Sequence, residues 1–251
     1  MDIPGKPMTQ KVSKQAIEII FENDSFLAVN KAAGILTVPD RMQSETSLKD
    51  ILAAKYGSIF TVHRLDRETS GIILFAKNEA AHKYFSTLFE NRTVEKFYTA
   101  LVHGTPSQRT GLIDAPIAEH PVHKGQMFVT RQGKASSTGY EVLETFGRYS
   151  LVKFLLHTGR THQVRVHAKH IGHPVACDPL YGDGQPILLS TIKKKYKLSK
   201  TEEAEKPILS RVALHAHQLI FKDTEGSNFN LTAEFPKDIK ALLQQLRKQN
   251  H

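Results

Sequence analysis

The sequence predicts an α+β fold: a mixed, mostly antiparallel sheet with flanking helices and a central cleft. Two observations predict it. Runs of β-favouring residues outnumber helical patterns, and several are joined in hairpin order by short turn signals. The helical patterns are few, and each carries its own cap or stop signal. No internal repeat is present.

Residues 1–14 read as a flexible polar tail, and 15–251 as a single domain. The segment IEIIFENDSFLAVNKAAG holds two short β runs around an Asn-Asp turn signal, and Gly34 opens a loop through Pro39. TSLKDILAAKYG predicts a helix capped by Ser47 or Thr46, with Leu48, Ile51 and Leu52 as its apolar stripe and Gly57 ending it. TVHRLDRETSGIILFAKN reads as strand, tight turn, strand. Asn78 caps a second helix, EAAHKYFSTLFEN. VEKFYTALVHG is a strand, and TGYEVLETFGRYSLVKFLLH is a pair joined at Gly147-Arg148. THQVRVHAKHIG predicts a helix ending at Gly172 with Pro174 beyond it. Residues 188–206, which include KKKYKLSK, read as an exposed basic insertion. VALHAHQLIF and FNLTAEF then form strands, and DIKALLQQLRKQ a terminal helix.

Composition narrows the function. The net charge is +9, which favours a polyanionic partner, nucleic acid first. The placement of charge adds weight. No acidic residue lies between Glu144 and Asp178, a stretch holding Arg148, Lys153, Arg160, Arg165, Lys169 and five histidines. The stretch from His120 to Tyr140 is also free of acids. Fields of one sign over such lengths attract phosphates. Cys177 is the one cysteine, so no intrachain disulfide forms. That suits a reducing compartment. The N-terminus lacks the apolar core of a secretory signal, and no apolar run would span a bilayer, so a cytoplasmic, monomeric protein is expected.

HRLDRETSG, from His63 to Gly71, is the most informative stretch. If Arg64 to Asp66 is extended, the two side chains share a face. A neighbouring guanidinium keeps an aspartate ionised, and an ionised, desolvated carboxylate is a nucleophile or a base. Spacing alone suits an ordinary Arg–Asp pair with a capping threonine better. The histidines show no tidy metal spacing and there is no C-x-x-C, so no metal is expected.

HRLDRETSG resembles the signature of the RluA-type pseudouridine synthase family. KFYTA (Lys96–Ala100) is similar to its second block, K-x-Y-x-A, and HTGRTHQVRVH (His157–His167) to its third. NKAAGILTVP resembles the opening block, and HPVACDPLYG and RVALHA the later ones. The blocks stand in family order from about residue 24 to residue 217. Ala32 replaces the usual proline of the opening block, which loosens a loop. Cys177 stands where glycine is common, which leaves the local backbone geometry open. Many relatives carry an S4-type RNA-binding domain, and the N-terminal tail is too short to hold one.

The resemblance implies the fold of a pseudouridine synthase catalytic domain, RNA as the partner (a stem-loop of ribosomal or transfer RNA) and no cofactor. It implies Asp66 as nucleophile on a flipped uridine, Arg165 as the partner of Asp66, and Tyr98 stacked on the uracil. Around them, His63, Arg64, Arg67, Thr69, Arg160, His162, Lys169 and Leu214 are candidates to hold the RNA, with Leu214 an apolar wall. His162 and Arg165 share a helix face that could meet phosphate, and Lys169 continues it. Three rivals remain at this point: an RNA-binding protein on the same scaffold without catalysis, a metal-dependent nuclease or Asp/His hydrolase, and a folding helper for RNA, an activity compatible with modification. The retained triad argues against the first, and the scarcity of clustered carboxylates against the second.

Overall fold

The structure is a computed structural model, and it describes residues 17–193, 196 and 204–249. The expected tail at 1–14 lies outside these residues, as does most of the basic run 193–200. In chain order the elements are β1 (Ile17–Glu22), β2 (Phe26–Lys31), α1 (Leu48–Tyr56), β3 (Phe60–Thr61), β4 (Ser70–Ala76), α2 (Glu79–Glu90) and β5 (Glu95–His103). They continue with β6 (Thr110–Asp114), β7 (Ile117–Glu119), β8 (Met127–Val129), β9 (Ser137–Thr145), β10 (Tyr149–Leu156), α3 (Gln163–His170), α4 (Leu189–Ile192), β11 (Leu214–Lys222), β12 (Asn228–Thr232) and α5 (Lys237–Gln249).

The fold is α+β, as the sequence predicts. The main sheet runs β1-β2-β4-β11-β5-β10-β9-β6, with β12 beside β11 and β3 beside β4. Every pairing in it is antiparallel except β4 with β11, where His215 faces Ser70 and Ala216 faces Gly71. β7 and β8 form a separate hairpin. Helix α1 starts on a reciprocal capping box between Ser47 and Asp50, and α2 on Asn78.

Two apolar cores flank the sheet's centre. One gathers Leu101, Val152, Phe154, Ala168, Leu242 and Leu243 around β5, β10, α3 and α5. The other gathers Phe26, Phe75, Phe85, Leu48 and Leu52 around β2, β4, α1 and α2. Strand β11 belongs to both, through Leu214 in the first and Ala216 in the second, and Tyr98 packs against both. The seam between the cores is where the cleft opens.

Two expectations are corrected here. The strand predicted through His63–Asp66 stops at Thr61. β3 leaves β4 after two pairs, and β11 reaches β4 only at Ser70 and Gly71. In the gap, the backbone N–H of Leu74 donates to His63 Nε2 at 3.0 Å. A side chain thus replaces a strand partner, and residues 62–66 are freed from the ladder. Next, the segment expected to be an irregular insertion begins with the short helix α4. A bridge between Ile187 and Leu209 closes the base of that segment.

Candidate active site

The cleft has a volume of about 490 Å³. Its walls come from the loop His63–Thr69, from β5 through Lys96 and Tyr98, from residues 159–164 at the start of α3, and from Leu214 on β11.

The Asp66 loop is held from behind by the opening block. Thr37 Oγ1 donates to the Leu65 carbonyl at 2.9 Å and accepts from the Leu65 N–H at 3.2 Å. The Arg67 carbonyl accepts from Gly34 N–H at 2.8 Å and from Lys31 Nζ at 3.0 Å. Lys31 is fully buried and also donates to the carbonyls of Ala32 and Ile35. Burial pulls its pKa down to about 7, yet three carbonyls match the three N–H donors of the ammonium form. The turn closes with Thr69 N–H on the Asp66 carbonyl at 3.1 Å. Gly71 follows with φ of +120°, and a Cβ there would lie 2.6 Å from Ala216 N. Only glycine lets β4 approach β11 this closely.

Asp66 leaves this loop with its side chain 23% exposed, 3.7 Å from Arg165 Nη1 and 3.9 Å from His162 Nε2. The expected pairing of Arg165 with Asp66 is therefore only half of its setting. The guanidinium is 4% exposed and makes a bidentate pair with the fully buried Asp178, Nε to Oδ2 at 2.6 Å and Nη2 to Oδ1 at 2.7 Å. Asp178 Oδ1 also accepts from the N–H groups of Leu180 and Tyr181. Burial opposes the charge on Arg165, but the bonds to Asp178 outweigh it and hold the pKa above its ordinary value. Because it is buried, Arg165 cannot present a helix face to phosphate.

His162 precedes α3 in a left-handed conformation, φ 56°. Its Nδ1 lies 2.9 Å from Tyr181 Oη, which accepts from Met127 N–H at 2.8 Å. Burial lowers the pKa of His162 against the pull of Asp66, so the imidazole is neutral near pH 7. Gln163 anchors the loop before it. Its Oε1 accepts from Thr158 Oγ1 and Arg160 N–H, while its Nε2 donates to the Ser137 carbonyl and to Thr138 Oγ1. Thr138 in turn meets His167 Nδ1, and His167 Nε2 reaches the Ala115 carbonyl. The buried polar network leaves none of these groups idle.

Of the candidates, His63, Arg64, Asp66, Thr69, Tyr98, Arg160, His162 and Leu214 converge on the cleft. Arg67 and Lys169 do not. Arg67 turns away to pair with Glu45 at 3.0 Å, and Lys169 is exposed with its Nζ 6.0 Å from the Tyr181 ring centroid. His63 lines the cleft stacked on Phe89 at 4.3 Å, but its Nε2 is occupied by Leu74, so it shapes the loop. Burial and the negative charge of Asp66 both raise the pKa of Tyr98, which keeps the phenol protonated. Among the described residues, no three His, Cys, Asp or Glu side chains converge as a metal site would require. No described helix is long and apolar enough to cross a membrane.

Residues 25–170 match the family model described as RNA pseudouridylate synthase. The chain belongs to that family. An RNA pseudouridine synthase of Bacillus subtilis, described as uncharacterized, is 35% identical over 260 residues, covering 99% of this chain and 76% of its own. A protein of Nitrosomonas europaea described as ribosomal large subunit pseudouridine synthase D is 36% identical, covering 94% and 67%. The solved human RNA pseudouridylate synthase domain containing 4 superposes with a TM-score of 0.73 at 26% identity, covering 91% of this chain and 92% of that one.

Sequence reasoning missed three residues of this pseudouridine synthase: Asp178, Gln163 and Tyr181. Asp178 and Tyr181 lay in a recognised block, DPLYG, but their partners are 13 and 19 residues away. Cys177 beside them adopts φ 58°, the conformation that glycine favours at such a position.

The half-buried His63 and the buried His215 should make the stability of the enzyme pH-dependent. Burial, with Lys96 nearby, pushes His63 down to about 3. Burial, reinforced by His217 and Arg211, pushes His215 down to about 4. His215 Nε2 donates to the Ala233 carbonyl, so its Nδ1 accepts from Ser70 Oγ at 2.9 Å. Both rings are neutral in the fold, whereas the unfolded chain takes up their protons near pH 6.5. Stability is therefore level above that pH and falls below it, by ~1.4 kcal/mol per pH unit for each ring. Urea unfolding at pH 5 should show about 4 kcal/mol less stability than at pH 7 from this pair. Equal stability at the two pH values would contradict the assignment.

Proposed function

We propose that this enzyme flips a uridine out of a stem-loop in ribosomal or transfer RNA and isomerises it with Asp66 as nucleophile. The juxtaposition that carries the reading is a half-buried Asp66 carboxylate, aimed by a pinned Arg165, on the wall of a cleft that also holds Tyr98. In the reaction the N1–C1′ bond breaks, uracil turns, and C5 joins C1′. The C5 proton leaves and N1 gains one, so no electrons are exchanged and no cofactor is required. Asp66 attacks the flipped nucleotide, at C1′ or at C6. Tyr98, a neutral phenol, stacks on the uracil, and Leu214 closes the apolar side. Arg64, exposed at the mouth, fills the space left by the base or meets a phosphate. Arg160 and His162 line the opposite wall.

The protein acts as a cytoplasmic monomer in this reading, with residues 15–251 as one catalytic unit. The relative described as ribosomal large subunit pseudouridine synthase D supports large-subunit ribosomal RNA ahead of transfer RNA. The test is tritium release from RNA labelled at uridine C5, with ribosomal and transfer RNA assayed separately. Release from ribosomal RNA is expected, with affinity falling at least ~10-fold as salt rises through the physiological range. No release from either RNA, with tight binding intact, would leave a non-catalytic RNA-binding protein.

A further inference from the structure

Lys96 has no part in the reaction just outlined, yet it stands in the cleft. It lies on β5 two residues before Tyr98, so the two side chains share a face about 7 Å apart; both line the cavity. Lys96 is 7% exposed. The one hydrogen bond of its ammonium among the described residues is a stretched 3.4 Å contact with the Val94 carbonyl, and its Nζ lies 5.9 Å from the Phe89 ring centroid. The other charged groups lining the cleft are Arg64, Arg92, Arg160, Glu90 and Asp66. Burial and the charge of Arg92 both weaken the hold of Lys96 on its proton. A buried ammonium so poorly satisfied is costly unless an anion completes it.

We propose that Lys96, with Arg92 beside it, is a phosphate site that takes the phosphodiester of the nucleotide whose base stacks on Tyr98. The separation of the two side chains along the strand suits the reach from a nucleobase to its own phosphate. The proposal rests on the pseudouridine synthase reading only for placing that base on Tyr98.

The test is binding, so it does not depend on turnover. The full-length protein, Lys96→Gln, Lys96→Arg and Arg92→Gln are titrated by fluorescence anisotropy with labelled pentauridylate, in natural form and with neutral methylphosphonate linkages. Lys96→Gln should weaken binding of the natural strand about tenfold. It should also lower the slope of log affinity against log salt by about 0.7, and leave the neutral strand unaffected. Lys96→Arg should retain most of the affinity. Arg92→Gln, at an exposed position, should lower the same slope with a smaller loss. Equal losses on both strands, or no loss on the natural one, overturn the proposal. A native protein that prefers neither strand does so too. Absence of tritium release by the native protein would defeat the isomerase reading and leave this comparison standing.

Discussion

Asp66→Asn is expected to abolish pseudouridine formation, by ~10⁴-fold or more, while the fold and the affinity for RNA stay close to native. Asparagine keeps the shape of the side chain but cannot attack as an anion. The structure explains why so little else should change. Among the described residues the ion pairs of the Asp66 carboxylate are long, at 3.7 and 3.9 Å, and Arg165 keeps its stronger partner, Asp178. The loop itself is held through backbone groups and Thr37, none of which the substitution alters. A stability change below ~1 kcal/mol is expected. The measurement is single-turnover tritium release with the variant in excess over RNA, beside a thermal melt. Residual activity within an order of magnitude of native would remove Asp66 from the chemistry.

The second large effect belongs to a residue that never meets the substrate. Asp178→Asn leaves the Arg165 guanidinium buried beside an amide, and the loss of one partner from such a pair costs ~3–5 kcal/mol. Turnover should fall as well, by ~100-fold, because Arg165 Nη1 loses the anchor that aims it at Asp66. RNA affinity should not change, since Asp178 is fully buried. To separate aiming from mere support, both partners can be replaced together, as Arg165→Met with Asp178→Leu. An apolar pair of similar volume restores stability in such settings. Because the N–H groups of Leu180 and Tyr181 also lose their acceptor, the double variant is expected to recover only part of the lost stability, melting above Asp178→Asn, and to remain as slow as the single one. A double variant with native turnover would make the pair a structural bolt alone.

The legible and illegible parts of the molecule divide by range of interaction. Hairpins β1–β2 and β9–β10 and the caps on α1 and α2 were readable because each signal and its partner lie within a few residues. β3, β7 and β8 have two or three residues each, too few for an alternating pattern. The set Asp66, Tyr98 and Arg165 was visible through family resemblance; Asp66 and Tyr98 line the cleft, and Arg165 lies buried 3.7 Å from Asp66. Periodicity could not say that Arg165 faces inward, because α3 is buried on nearly every side from Gln163 to Ala168. Nor could it separate Arg67 from Arg64. The turn that begins at Arg67 reverses the direction, and Glu45, from a distant loop, captures this second arginine.

The single parallel seam, where β11 lies beside β4, sets an order of events. Ser70 and His215 are 145 residues apart in the chain, and Gly71 is shaped for Ala216 alone. Pairing across such a separation carries a large loop-closure entropy and comes late and slowly in folding. The Asp66 loop leads directly into that seam, so Asp66 is set in place only when the chain has been made as far as β11. A nascent enzyme that still lacks β11 can carry every residue of its signature and still have no active site.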